Sequence, residues 1–151
     1  MKTESGKRYN RQYTMRLSFS PADIFPLLCP VREYDWIPQW RCRIVYTESG
    51  VAELGCVFQT DFADQFGVET WVVSRYEQDS RIAFVRTGEH RATRYTITLE
   101  PVGQSTNLVW HQEITGLSSK GSELLASADP EAFTTQMRSL EQLLNTYLTS
   151  R

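Results

Sequence analysis

The chain is poor in the residues and segments that mark secreted, metal-binding and membrane-spanning proteins. It has three cysteines and two histidines among 151 residues. The cysteines, Cys29, Cys42 and Cys56, form no Cys-x-x-Cys pair, so neither a disulfide framework nor a metal site is predicted. No apolar run approaches the roughly 18 residues of a membrane span, and no apolar segment follows the charged amino terminus. We expect buried free thiols, no metal, no membrane span and a cytoplasmic location.

Neither sign of charge dominates the sequence. Sixteen Lys and Arg residues stand against eighteen Asp and Glu residues, which gives a net charge of −2. A protein that binds a nucleic-acid backbone is usually strongly basic, so we expect no nucleic-acid partner. Motifs of nucleotide-binding proteins, α/β-hydrolases and zinc proteases are absent too. We therefore expect no cofactor.

Length and continuity predict one domain over residues 1–151, with residues 1–8 disordered, because no linker or repeat divides the chain. Strict alternation of apolar and polar residues predicts a first strand over 13–19. Ser20 and Pro21 then supply a capping hydroxyl and a first-turn proline, which predict a short helix that ends by Pro30. A second brief helical turn is predicted within the aromatic-rich segment 31–40.

The rest of the chain predicts a meander of strands followed by a long helix. Strand patterns occupy 41–47, 56–62, 68–76, 81–87, 91–100 and 107–115, and their short connections are typical of antiparallel neighbours. After a helical lead-in over 118–128, apolar residues at spacings of three and four predict an amphipathic helix from Pro130 to about Leu148. The fold class is therefore α+β, with the last helix covering one face of an antiparallel sheet.

This order of elements resembles the helix-grip fold of the START-like and Bet v 1-like superfamily, also called SRPBCC, which includes polyketide cyclase/dehydrase-like and lipid-carrying proteins. The resemblance is carried by residues 19–25, 29–40, 71–77 and the final helix, and the block 34–38 resembles a feature of one bacterial branch. It implies a curved seven-stranded antiparallel sheet wrapped around the long C-terminal helix, with two short helices after the first strand. It also implies an internal cavity that holds a hydrophobic or aromatic small molecule or a lipid.

Two polar residues interrupt apolar strand faces and are candidates to face that cavity. Gln112 shares a face with Trp110 and Ile114, and Thr60 lies between Phe58 and Phe62. Such a buried polar group either bonds to neighbouring protein atoms or orients a ligand. The same alternation places His111 on the solvent side, although a bulge of one residue would exchange His111 and Gln112.

Aromatic residues supply most of the remaining candidates. They line or gate the cavity, or they are ordinary core packing, and the sequence leaves both readings open. Arg91 and Arg94 similarly either form a solvated strand face or meet a carboxylate or phosphate at the cavity mouth. The candidate ligand-binding residues are Tyr34, Trp36, Trp40, Phe58, Thr60, Trp71, Tyr95, Trp110, Gln112 and Met137.

Two functions from different classes follow from this pattern. The first is a binding or transport protein for a hydrophobic small molecule, whose oligomeric state, monomer or homodimer, is left open. The second is a polyketide cyclase- or dehydratase-like enzyme in the same cavity, with Tyr95 and Gln112 as positioning or proton-transfer groups and no assigned catalytic residue. A third reading, an interaction protein whose cavity is filled by its own side chains, also remains open.

Overall fold

A computed structural model describes residues 6–151 of the chain. Within these residues seven strands form one antiparallel sheet in the spatial order β1-β7-β6-β5-β4-β3-β2. The strands are β1 (Arg8–Leu17), β2 (Arg43–Tyr46), β3 (Val57–Asp61), β4 (Val68–Glu77), β5 (Arg81–Thr87), β6 (Arg91–Val102) and β7 (Ser105–Gly116). Strands β2 to β7 each pair with the next strand along the chain, and β1 lies at the edge beside β7. This antiparallel sheet agrees with the predicted α+β class.

Short helical segments connect β1 to β2. Helix α1 (Pro21–Ile24) is capped by Ser20, whose side chain accepts a hydrogen bond from the Asp23 amide. Two 3₁₀ turns follow, at Phe25–Leu28 and Arg32–Asp35. Helix α1 and the first 3₁₀ turn together correspond to the short helix predicted to end by Pro30, and the second 3₁₀ turn corresponds to the brief helical turn predicted within 31–40.

Two helices follow the sheet: α2 (Ser119–Ala126) and α3 (Ala132–Thr149). Helix α3 begins two residues later than predicted, because the Asp129 carbonyl accepts from Ala132 and its side chain accepts from Glu131, which makes a separate turn. The buried side chains of α3, including Met137, Leu144 and Leu148, belong to the same core as the inner face of the sheet.

Strand register determines which side chains meet on that inner face. Residues directly opposite in antiparallel strands point to the same side of the sheet. One row across the sheet contains Trp71, Arg86, Thr93 and Ile114. The next contains Phe84, Tyr95, Gln112 and Arg11, and the third contains Ile82, Ile97, Trp110 and Tyr13. Polar and aromatic side chains are thus brought together near the middle of the sheet.

The first strand differs most from its prediction. It begins at Arg8 and ends at Leu17, instead of spanning 13–19, because the polar residues before Tyr13 pair with β7 along their whole length. The prediction of disorder for residues 1–8 is therefore wrong for Arg8, which pairs with Thr115, while its part on residues 1–5 lies outside the described residues. Among residues 6–151, no helix combines the length and apolarity needed to cross a membrane.

Candidate functional site

A cavity of about 310 Å³ lies between the inner face of the sheet, helix α3 and the segment 33–40. This volume is at the lower end of the roughly 300–1,000 Å³ typical of small-molecule sites. The wall consists of Glu33, Trp36, Ile37, Gln39, Trp40, Phe58, Phe62, Trp71, Phe84, Arg86, Tyr95, Ile97, Trp110, Gln112, Gln136, Met137, Ser139, Leu140 and Leu143.

Aromatic rings form a continuous series along the sheet side of the cavity. The Trp71 ring stacks on Phe58 with centroids 5.3 Å apart and meets Phe84 edge-on at 5.7 Å. Tyr95 continues the series, with its ring centroid 6.2 Å from Trp71 and 6.0 Å from Trp110. Edge-on and offset contacts of this kind fix ring orientation and add to the stability that burial already provides.

Most of the indole N–H groups in the wall are bonded to protein atoms. Trp36 donates to the Leu27 carbonyl at 2.9 Å, Trp40 to the Pro30 carbonyl at 2.8 Å, and Trp71 to the Thr60 hydroxyl at 2.9 Å. The Trp110 Nε1 atom differs, because it is buried and has no hydrogen-bond acceptor within residues 6–151. Buried donors are normally satisfied, and Trp110 Nε1 is one of four buried side-chain atoms among residues 6–151 that lack a partner.

Glu33 brings a carboxyl group to the same wall. Its amide donates to the Cys29 carbonyl at 2.8 Å, which holds the residue at the start of the second 3₁₀ turn. Desolvation by burial raises the pKa of Glu33 to about 8. The side chain is therefore mostly protonated and neutral at pH 7, and a titratable group in a cleft with such a shift is a candidate for ligand contact or proton transfer.

Tyr95 occupies the centre of the wall. Its hydroxyl lies 3.9 Å from the sulfur of Met137 on α3. Desolvation raises the pKa of Tyr95 strongly, although the hydrogen bond with Gln112 acts in the opposite direction. The phenol is therefore neutral across the physiological range and acts as a hydrogen-bonding group rather than as a base.

Arg86 is the charged residue of the cavity wall on the sheet side. Its Nε donates to Glu69 Oε1 at 2.8 Å, and its guanidinium lies 4.5 Å from the Trp71 ring centroid. Glu69 also accepts from Arg91, through Nε at 2.9 Å and a terminal nitrogen at 2.8 Å. Burial alone would raise the pKa of Glu69, but Arg91 and Arg86 more than offset this and hold it below its ordinary value.

The sequence-predicted ligand-binding residues largely converge on this cavity. Trp36, Trp40, Phe58, Trp71, Tyr95, Trp110, Gln112 and Met137 lie in its wall. Tyr34 and Thr60 do not. The Tyr34 side chain is exposed, and its hydroxyl donates to the Cys42 carbonyl and accepts from the Cys42 amide. Thr60 is buried and accepts a hydrogen bond from the Trp71 indole N–H.

The orientation of β7 agrees with the predicted alternation. Its pairing with β1 and β6 runs without a register shift, so Gln112 points inward. His111 points outward, where its Nε2 lies 3.0 Å from the Asn10 side-chain oxygen. Of the two arginines considered from the sequence, Arg91 is buried against Glu69 and Arg94 is exposed.

Sequence reasoning missed Glu33 and Arg86. Arg86 alternates with Ile82 and Phe84 on β5, so the parity argument that found Gln112 would have found it as well. Glu33 gave no such signal, because the run Arg32-Glu33-Tyr34-Asp35 contains charges of both signs and is typical of a surface turn. No cluster of three or more metal-ligating side chains occurs in the part of the chain that the structure describes.

Solved structures share this fold over nearly the whole chain. An uncharacterized protein from Rhizobium leguminosarum is 16% identical, with a TM-score of 0.70 over 97% of this chain and 98% of that chain. Norcoclaurine synthase from Thalictrum flavum, in complex with dopamine and hydroxybenzaldehyde, is 12% identical, with a TM-score of 0.68 over 91% and 86%. Ara h 8.0201 is also 12% identical, with a TM-score of 0.68 over 96% and 100%.

The comparisons establish the Bet v 1-like helix-grip fold, in which an antiparallel sheet grips the long C-terminal helix. No family model matches the chain. No curated protein matches it by sequence either. Because a shared fold hosts different activities, the fold alone does not assign a function to this chain.

Proposed function

We propose that the protein binds a hydrophobic, aromatic small molecule in the cavity between the sheet and α3. The observation that carries this proposal is the aromatic wall around about 310 Å³ of space, interrupted by few polar groups. Apolar walls with a small number of placed polar groups are typical of ligand sites. The aromatic compounds bound to norcoclaurine synthase in the same fold are consistent with this class of ligand.

The volume of the cavity limits the size of the ligand. An engineered protein cavity of about 150 Å³ holds one benzene molecule. The space between the sheet and α3, about 310 Å³, therefore suits a compound with one or two rings better than a long lipid chain. Contact with the aromatic rings of the wall favours a flat, aromatic ligand.

The proposal is tested by filling the cavity from helix α3. Isothermal titration calorimetry with 2-naphthamide and 2-naphthoate is compared for the wild type, Leu140→Trp and Asn145→Trp. Leu140 lies in the wall, whereas Asn145 is exposed on the same helix and serves as the control. We expect saturable binding to the wild type and to Asn145→Trp, and at least tenfold weaker binding to Leu140→Trp. Absence of saturable binding of both probes to the wild type would refute the proposal.

A second candidate function is acid–base catalysis on a ligand bound in the same cavity, as in a polyketide cyclase- or dehydratase-like enzyme. The observation that favours it is the Glu33 carboxyl, whose pKa of about 8 allows it to hold or accept a proton near neutral pH. In a dehydration, the ionised fraction of Glu33 would remove the proton next to a carbonyl, the C–O bond to the hydroxyl on the next carbon would break as the C=C bond forms, and Glu33 would return that proton to the leaving hydroxide to give water.

The catalytic candidate is tested with 4-hydroxy-4-phenylbutan-2-one, a small aromatic β-hydroxyketone. Formation of the conjugated enone is followed by absorbance, and loss of one water by mass spectrometry. Turnover above background that falls at least a hundredfold in Glu33→Gln, with unchanged ligand affinity, would support catalysis. Turnover equal to background in the wild type, or unaffected by Glu33→Gln, would count against Glu33 as the catalytic group.

A further inference from the structure

The cavity borders a buried cluster with more positive than negative charge. Arg86 and Arg91 are 9% and 8% exposed, and Glu69, which pairs with both, is 1% exposed. Among residues 6–151, Glu69 is the only carboxylate within ion-pair distance of either guanidinium. One carboxylate therefore compensates two buried cations, and a net positive charge remains.

The geometry of the pair shows which cation is left incompletely compensated. Arg91 binds Glu69 with two nitrogens, Nε to one oxygen and a terminal nitrogen to the other. Arg86 donates to Glu69 through Nε alone among the described residues. A guanidinium has five N–H donors, so the terminal nitrogens of Arg86 remain without an acceptor among residues 6–151. Arg86 is also the member of the cluster that lies in the cavity wall.

The other polar groups of the cavity do not supply the missing negative charge. Glu33 is mostly protonated at pH 7, because desolvation raises its pKa to about 8. Burial likewise keeps the Tyr95 phenol neutral. Arg11, whose side chain shares the inner face with Gln112, adds a further positive charge, and burial and then the nearby Arg91 lower its pKa. A buried, uncompensated guanidinium is unfavourable unless a counter-charge binds beside it.

A second polar group without a partner lies on the same inner face. Trp110 lies two rows from Arg86 across the inner face, on the far side of Tyr95. Its buried Nε1–H has no acceptor among the residues described here. The residues of the wall thus include a cation on one side of Tyr95 and, on the other, an indole whose buried N–H is unpaired, with aromatic rings between them.

We propose that the ligand is an aromatic carboxylate of one or two rings, whose carboxylate binds the Arg86 guanidinium and whose rings pack against Trp71 and Tyr95. This inference rests on the proposed ligand-binding function and adds the charge of the ligand to it. A planar guanidinium favours a carboxylate because the two groups match in a paired geometry.

The experiment compares two probes of the same shape and different charge. Calorimetry at pH 7 measures the affinity of 2-naphthoate, which is ionised, and of 2-naphthamide, which is neutral. Each is titrated into the wild type, Arg86→Met and Arg94→Met. Arg94 is exposed on β6 and is the control for loss of an arginine charge outside the cavity.

We expect 2-naphthoate to bind the wild type and Arg94→Met at least tenfold more tightly than 2-naphthamide. In Arg86→Met the affinity for 2-naphthoate should fall at least tenfold, while that for 2-naphthamide stays within about threefold. Equal affinity of the two probes for the wild type would overturn the inference and leave the proposed binding function standing. Absence of binding of both would overturn both.

The test does not depend on Arg86→Met folding. If that variant unfolds, the difference between the two probes is measured on the wild type at low and high salt. A carboxylate held by Arg86 should retain its advantage of at least tenfold up to 0.5 M NaCl, because a buried ion pair is screened much less than a surface pair. Loss of that advantage in salt would place the carboxylate at the protein surface and refute the assignment to Arg86.

Discussion

Replacing Glu33 with glutamine should stabilise the protein increasingly as the pH rises. The carboxyl group lies in the cavity wall, where burial raises its pKa from 4.5 to about 8. In the unfolded chain the same group ionises near its ordinary pKa. Between pH 4.5 and pH 8 the native state therefore binds one proton more than the unfolded state, so the stability of the wild type falls as the pH increases.

The size of the effect follows from the shift. Each pKa unit corresponds to about 1.36 kcal/mol, so a rise from 4.5 to about 8 corresponds to roughly 5 kcal/mol of stability. That contribution is fully present below pH 4.5 and is lost as the pH rises through 8. Glutamine stays neutral at every pH, so the stability of Glu33→Gln does not fall in this way as the pH rises. We therefore expect the advantage of Glu33→Gln over the wild type to grow by roughly 3 kcal/mol between pH 4.5 and pH 7.

Urea unfolding, followed by circular dichroism from pH 4 to pH 9, measures this difference. The control is Glu100→Gln, which removes an exposed carboxylate from β6 and should follow the pH dependence of the wild type. A constant offset between Glu33→Gln and the wild type would reflect altered packing and is compatible with the reasoning. Parallel curves, with less than about 1 kcal/mol of divergence across the range, would show that the Glu33 carboxyl is solvated and refute it.

Two further predictions concern the groups behind the cavity wall. Glu69→Gln should destabilise the protein by about 3–5 kcal/mol, because it leaves two buried guanidiniums without a counter-charge. Thermal unfolding measures this change, and Glu89→Gln, at an exposed side chain, is the control. A destabilisation below about 1 kcal/mol would contradict the prediction. Thr60→Val should cost about 1–3 kcal/mol by unpairing the Trp71 indole N–H. Adding Trp71→Phe should remove part of that penalty, and additivity in a double-mutant cycle from urea unfolding would argue against the hydrogen bond.

Local sequence patterns predicted the architecture well because each element is amphipathic. Strand β5 occupies the predicted residues, and β4 and β6 begin at theirs, since alternating burial is directly visible in the sequence. The start of β1 could not be predicted from the sequence pattern. Its residues from Arg8 to Gln12 lack an apolar alternation, and only pairing with β7 makes them a strand. Such long-range pairing cannot be inferred from one segment alone.

The difference between local patterns and long-range contacts also explains which site residues could be predicted from the sequence. Gln112 and Trp110 were predicted because period-two alternation identifies the inner face of a strand. Tyr34 was placed at the cavity because it belongs to an aromatic cluster, but its hydroxyl is bound to the Cys42 backbone on the outside. Glu33, its neighbour in the chain, reaches the cavity instead. In a 3₁₀ turn with three residues per turn, adjacent side chains point about 120° apart. The hydrophobicity of the two side chains favoured Tyr34 as the inward one, whereas the structure places Glu33 there.

The cavity is best understood from the groups that an ordinary core would exclude. An apolar side chain at position 86 would pack against Trp71 without any need for a counter-charge, and replacing buried ion pairs with apolar residues is often stabilising. The sheet instead presents a guanidinium to the cavity, and α3 and the second 3₁₀ turn enclose it together with a carboxyl group that burial keeps protonated. Near neutral pH neither group opposes the binding of a carboxylate. Arg86 attracts it, and Glu33, being protonated, carries no charge that would repel it. Above pH 8 Glu33 ionises, and a ligand carboxylate would then meet a second negative charge. The affinity for an aromatic carboxylate should therefore decline above pH 8 in the wild type and remain constant there in Glu33→Gln, which links the titration of one residue to the charge of the ligand.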